Sequence, residues 1–196
     1  GGGIGLMSGA SHRVVTEKSR LAMPEINIGL YPDVGSTWFL NHTPGRTGLF
    51  LGLTGANINA ADALFVGLAD RFIAHDKKTN VIEGLLSADW SGADDTYSGV
   101  VSSVLRRFED LSALPESSVR QHFDVINQLT DGDTLPDIVD NFAKFETDEK
   151  WLQRAKSGLL KGCPTTAYIV YEQLRRGQKL SLEAVFQMEL IVSLQC

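Results

Sequence analysis

The sequence predicts an α/β domain with few strands and a largely helical second half. Strand-like stretches occur only before His75. Beyond it, apolar residues recur at spacings of three and four, the period of helices with one buried face. Residues 1–35 gather what reads as a site: a glycine triplet running into a short helix, one or two strands, then two acids, Glu25 and Asp33, on loop-like ground.

Taken in order, Gly2 and Gly3 belong to a stretch that favours tight turns and close backbone approach. Residues 4–10 are small or apolar and suit a buried helix of about two turns. Residues 13–16 and 20–23 read as strands, the second ended by Pro24, which has no ladder donor. Residues 27–35 are a loop punctuated by Gly29, Pro32 and Gly35, with Asp33 placed to cap a helix through residues 37–41. Pro44 can start a helix over residues 45–53 that stops at Gly55. Asn59 caps another over 60–66, stopped by Gly67, and residues 69–74 leave it as a strand.

The boundary near residues 75–79 opens an all-helical part. Tyr97, Val100, Val101, Val104, Leu105 and Phe108 mark one helix face, and Val119, Phe123, Ile126 and Leu129 a second. Trp151, Leu152, Ala155 and Leu159 mark a third, and the helix after Pro164 buries Ala167, Val170, Tyr171 and Leu174. The last shows Leu182, Val185, Phe186 and Leu190. Residues 92–96, 114–117 and 130–135 read as the loops between helices.

Composition narrows the function. At 196 residues, 43% apolar and 21% charged, the chain has the make-up of a globular domain with a real core. A net charge of −6 without a long basic run argues against a nucleic-acid surface. No apolar run approaches the length of a membrane span, and no secretion signal is visible. Two cysteines, Cys163 and Cys196, make neither a disulfide framework nor a metal site, which fits a reducing compartment, the cytoplasm being expected. His12, His42, His75 and His122 lack ligand spacing, and Cys163 reads as a small core residue.

The chemistry these residues suit is acyl transfer. Cleaving a thioester builds negative charge on the carbonyl oxygen, which preorganised N–H donors must meet. Glycine amides at a helix start serve this, helped by the positive end of the helix dipole. Gly2 and Gly3 are the candidates, with the second donor coming from elsewhere. Glu25, delivered by a strand end, and Asp33, eight residues on, can divide the remaining roles. One acts on the acyl carbon, directly or through water, and the other holds a hydroxyl or a proton.

The stretches GGGIGL, AMPEINIGLYPDVG and LTGANINAADALFVGLAD, in this order and spacing, resemble the enoyl-CoA hydratase/isomerase (crotonase) superfamily, and within it the 3-hydroxyisobutyryl-CoA hydrolase branch. KGCPTTAYIVYEQL and the final helix fit that branch more loosely. The resemblance implies a crotonase-like (ClpP/crotonase) α/β fold fragment. Residues 1–75 would be the C-terminal part of the α/β core with the catalytic residues, and residues 76–196 a helical region. It implies an acyl-CoA substrate hydrolysed in valine breakdown, no metal, no cofactor beyond the coenzyme A of the substrate, and self-association. Position by position, Gly2 matches the oxyanion-hole glycine, with Gly3 beside it in the substrate site. Glu25 matches the glutamate that acts on the thioester, and Asp33 the second acid of the hydrolase branch. The hydratases use two glutamates, and the first would fall at Gly5, which has no side chain. Ser36 stands where the branch usually has a second glycine.

Three other readings compete. The run Gly3-x-Gly5-x-x-Ser8 followed by Glu25 mimics a dinucleotide fingerprint, but the third glycine is replaced and the helix is too short. Hydratase or isomerase chemistry is the second, and a non-catalytic interaction module the third. The chain starts without Met and stops inside a helical pattern, so it is expected to be a piece of a longer protein.

Overall fold

A computed structural model describes residues 2–92 and 96–196; Gly1 and part of the loop expected at residues 92–96 lie outside the described residues. The first segment gives helix α1 (Gly2–Ser8) and strand β1 (Val14–Val15), followed by a 3₁₀ turn (Pro24–Asn27). Helices α2 (Ser36–Asn41), α3 (Thr47–Thr54) and α4 (Ala60–Phe65) come next, then strand β2 (Arg71–Phe72) and α5 (Lys78–Leu86). The remainder is helical: α6 (Tyr97–Arg106), α7 (Ser118–Gln121), α8 (Phe123–Leu129), α9 (Leu135–Lys144), α10 (Lys150–Lys161), α11 (Pro164–Gly177) and α12 (Leu182–Gln195).

The two strands pair in parallel, Val14 with Arg71 and Val15 with Phe72. They are clamped by Arg13, whose backbone N–H and Nε both donate to Asp70, at 2.8 and 3.0 Å. The strand expected over residues 20–23 shrinks to one antiparallel bridge, Leu21 with Ile58. Pro24 and the 3₁₀ turn end it at once, because a proline contributes no ladder donor.

Local signals fix several helix ends. Asn59 and Asp62 form a reciprocal capping box on α4, and Gly55 closes α3 in the left-handed conformation. Thr134 and Asp137 form a second box on α9, which buries Leu135, Ile138 and Phe142 at spacings of three and four. The helix expected through residues 119–129 is broken at His122 into α7 and α8. Buried Asp62 accounts for the first of these: it accepts the Val119 N–H at 2.9 Å and the Ser117 hydroxyl at 2.7 Å, pinning α7 to α4.

The core is continuous from the first segment into the helical part. Phe50 of α3 lies 5.9 Å from Phe142 of α9 and 5.4 Å from Trp151 of α10, centroid to centroid. Ile26, Leu53, Phe72, Ile126 and Val170 are also fully buried. Close approach depends on Gly158, where a Cβ would collide with the Thr54 carbonyl oxygen. The last helix departs from expectation. Its buried residues are Val185 and Glu189, while Leu182, Phe186 and Leu190 are exposed. The helix is turned this way because Glu189 satisfies two backbone donors that would otherwise be buried unpaired, each at a cost of about 1–3 kcal/mol.

Candidate active site

Glu25 sits in the 3₁₀ turn, 7% exposed. Two glycines make the slot for that turn. A Cβ on Gly55 would press on Asn27 and Pro24, and one on Gly162 would lie 2.6 Å from Ile26. The Cys163 N–H donates to the Ile26 carbonyl at 2.9 Å, tying the α10–α11 junction to the same turn. Cys163 itself is half-buried at the start of α11, where the Thr166 N–H holds its thiol below the usual value. Glu25 is thus a carboxylate withdrawn from water on a turn held from three sides.

Asp33 lies on the loop that follows, and its side chain is exposed. The loop is tied at nearly every residue. The Leu30 N–H donates to the Glu25 carbonyl at 3.2 Å, and the Thr166 hydroxyl to the Leu30 carbonyl at 2.7 Å. The Tyr31 hydroxyl donates to the Glu189 carbonyl and meets the Ser193 hydroxyl, both at 2.6 Å. Burial pushes the Tyr31 phenol above its usual value, with the charges of Glu189 and Asp33 adding to the effect. The Pro32 carbonyl accepts from Ser36 Oγ at 2.6 Å and from Gln173 Nε2 at 2.9 Å. The Ser36 hydroxyl therefore adds a bond that closes the loop.

Asp33 does not cap α2 with its side chain. The N-cap is Gly35, at φ +81°, and the Asp33 carbonyl accepts the Ser36 N–H at 3.0 Å. The carboxylate at this helix start is that of Glu189, whose Oε2 accepts the Gly35 N–H at 2.7 Å and whose Oε1 accepts the Thr37 N–H at 3.0 Å. Glu189 wins because a buried acid 154 residues away reaches both amides, whereas Asp33 points to water.

Gly2 and Gly3 begin α1 rather than precede it, and open space surrounds the position of a Cβ on either. They line a cleft of about 400 Å³ with Met7, Val15, Arg20 and Ala22; neither Glu25 nor Asp33 is among its lining residues. The opening helix meets the acid loop through Gly5. A Cβ there would fall 2.6 Å from the Val34 carbonyl oxygen and 2.7 Å from its Cγ2. Val34 itself holds φ +56°, a strained value for a β-branched residue.

Sequence reasoning missed Glu189, Tyr31, Gln173 and Thr166. One signal was available for Glu189, a charged residue four positions after Val185 on the inward face of α12. The other three donate to backbone carbonyls far away in the sequence, which no periodicity reports.

A buried acid on a fixed turn, a tethered loop with a second acid and a glycine-led helix on an α/β scaffold match one class of protein. The enoyl-CoA hydratase/isomerase family model covers residues 1–196, and the chain belongs to that family. Among curated relatives, the mitochondrial 3-hydroxyisobutyryl-CoA hydrolases of Danio rerio and Homo sapiens are 33% and 32% identical to it, each over all of this chain. The 3-hydroxyisobutyryl-CoA hydrolase-like protein 5 of Arabidopsis thaliana is 31% identical over 99% of it. The chain spans about half the length of these relatives, 49–50%. Among solved structures, a carnitinyl-CoA dehydratase from Mycobacterium thermoresistibile superposes with a TM-score of 0.81 at 31% identity. An enoyl-CoA hydratase from Rhodobacter sphaeroides gives 0.77 at 34%. Each alignment covers 96% of this chain, and 52% and 50% of the other. The fold is therefore the crotonase fold, about half of which this chain superposes on.

Proposed function

We propose that this chain carries the acid pair of an acyl-CoA thioester hydrolase acting on 3-hydroxyacyl groups, 3-hydroxyisobutyryl-CoA foremost, as in valine breakdown. The observation that carries the reading is the closure of position 5. The residue there is glycine, and the Val34 carbonyl occupies the space that any side chain would need. A two-glutamate hydratase site has no room for its first acid, while Glu25 and Asp33 remain.

In this mechanism the Gly2 N–H stabilises the thioester oxyanion, together with a donor from outside the described residues. Glu25 either attacks the acyl carbon or takes a proton from an attacking water. The C–S bond breaks, the thiolate leaves and is protonated, and the elements of water end as free acid and free coenzyme A. Asp33, exposed on its tethered loop, accepts a hydrogen bond from the 3-hydroxyl or positions the water. Gly3, beside Gly2 on a cleft that Glu25 and Asp33 do not line, would border the bound acyl-CoA.

Hydration or isomerisation is the second reading, favoured by the names of the two solved neighbours. The test is an assay of the complete polypeptide against 3-hydroxyisobutyryl-CoA and crotonyl-CoA. Release of free thiol from the first, without hydration of the second, is expected. Hydration of crotonyl-CoA with no thiol released refutes hydrolysis.

The free thiols Cys163 and Cys196 fit a reducing compartment such as the cytoplasm, whereas the zebrafish and human relatives are named as mitochondrial. Imaging of the tagged complete polypeptide decides between the two. No helix among the described residues is long and apolar enough to cross a membrane. Self-association is read from light scattering of the same protein.

A further inference from the structure

We propose that Glu189 is a positioning residue for this reaction: its carboxylate holds the Val34–Gly35 turn and so fixes where Asp33 stands, an assignment that rests on the reading of Asp33 given above. Glu189 is 4% exposed. Both of its carboxylate oxygens are spent on backbone N–H groups, those of Gly35 and Thr37. Its own carbonyl accepts the Tyr31 hydroxyl. One residue of α12 therefore grips the loop two positions before Asp33 and two positions after it.

The turn it holds closes on a single backbone bond of its own, the Ser36 N–H to the Asp33 carbonyl at 3.0 Å, across a strained pair of residues. Val34 and Gly35 are both at positive φ, +56° and +81°, and a β-branched residue leaves that region unless its surroundings over-determine it. Gly5 lies against the Val34 carbonyl from the other side and blocks movement toward α1 without fixing the turn's direction. The Glu189 carboxylate supplies that direction, because the bonded Gly35 N–H belongs to the Val34–Gly35 peptide itself. A burial this complete is costly for a carboxylate, and a leucine would serve mere packing beside Val185 better. The other side-chain ties, from Ser36 and Gln173, go to the Pro32 carbonyl, and neither bonds the Val34–Gly35 peptide.

The test uses the complete polypeptide with Glu189→Gln, which keeps shape but turns a donor toward the amides, and Glu189→Asp, which keeps charge. Hydrogen exchange is followed over residues 30–37 and over α10 as an internal control, alongside kcat and KM for 3-hydroxyisobutyryl-CoA. Exchange over residues 30–37 is expected to rise about tenfold in Glu189→Gln with α10 unchanged. Misplacing Asp33 should lower kcat about 10- to 100-fold while KM stays within about threefold. Glu189→Asp should recover part of the loss, and Glu189→Gln combined with Asp33→Asn should be no slower than Asp33→Asn alone. Wild-type exchange over residues 30–37 overturns the tether. Raised exchange with kcat within about twofold of wild type, or a double variant slower by the product of the single losses, overturns the coupling to Asp33. If Glu189→Gln does not fold, the same two readouts on Glu189→Asp decide. A wild-type protein that releases no thiol rejects the proposed function and with it the catalytic part of this assignment, while the exchange result still decides the tether.

Discussion

The Val34 carbonyl oxygen fills the space beside Gly5, 2.6 Å from where a Cβ would be. This contact joins the glycine-led helix to the acid loop, and neither partner can change without the other moving. Gly5→Ala should therefore destabilise the protein by about 1–3 kcal/mol through overpacking. It should also slow thiol release, because the loop yields before the helix backbone does. Gly5→Glu should not create hydration of crotonyl-CoA. Thermal melts and the two-substrate assay check both; a Gly5→Glu variant that hydrates crotonyl-CoA contradicts the closed position.

Glu25→Gln keeps the volume of the side chain on a turn whose neighbours Pro24, Ile26 and Asn27 fit against Gly55 and Gly162, so the fold should survive. Thiol release should fall by about 10²–10⁴ while coenzyme A binding is retained. Asp33→Asn should act differently, lowering turnover more for 3-hydroxylated than for plain acyl groups. Steady-state kinetics on a matched pair of acyl-CoA substrates measures this, and equal losses on the two would remove the hydroxyl contact.

Asp62 is 1% exposed and accepts from the backbone N–H of Asn59 and Val119 and from the Ser117 hydroxyl. Asp62→Ala leaves the Val119 amide buried without its acceptor and removes half of the α4 capping box. A loss of about 2–4 kcal/mol is expected, read as a lower urea midpoint at unchanged slope. Ser117→Ala should cost about 1 kcal/mol, since it removes only one of the three donors to that carboxylate and the α7 cap.

The Arg13 side-chain bonds to Asp70 hold that carboxyl below the usual carboxylate range. Its folded pKa is depressed, so the pair contributes stability above the unfolded value, near 3.9, and loses it as pH falls through the folded pKa. The Asp70 side chain is 37% exposed, and solvent screening keeps the contribution to about 1 kcal/mol or less. The stability difference between wild type and Asp70→Asn should be full at neutral pH and shrink below about pH 4. A difference that stays constant from pH 7 to about pH 2.5 would disprove the linkage.

Much of the scaffold was legible because its causes are local. Asn59, Gly55 and Gly67 punctuate helices by their own backbone chemistry, and the apolar spacing of α10 and α11 survives folding, whereas on α6 only Val104 and Leu105 of the expected face are buried. The misses share a different cause. Residues 20–23 read as a strand from their place between turn signals, yet a strand needs a partner, and among the described residues only Ile58 offers one. The α12 face was misassigned because its four leucine, valine and phenylalanine positions outvote one glutamate in any periodicity count. In the folded chain, two unpaired amides outweigh them.

What the sequence determined by itself was the inventory: the glycines of α1, the acids at positions 25 and 33, the missing side chain at position 5, and the order of helices. Those follow from residue type and spacing, which act within a turn or two of chain. Only the tertiary structure decided that Asp33 stands on a loop held by Glu189, that Val34 closes the space beside Gly5, and that Glu25 is withdrawn from water. Each of these depends on backbone donors and carbonyls meeting across tens of residues or more, and no local preference encodes such meetings.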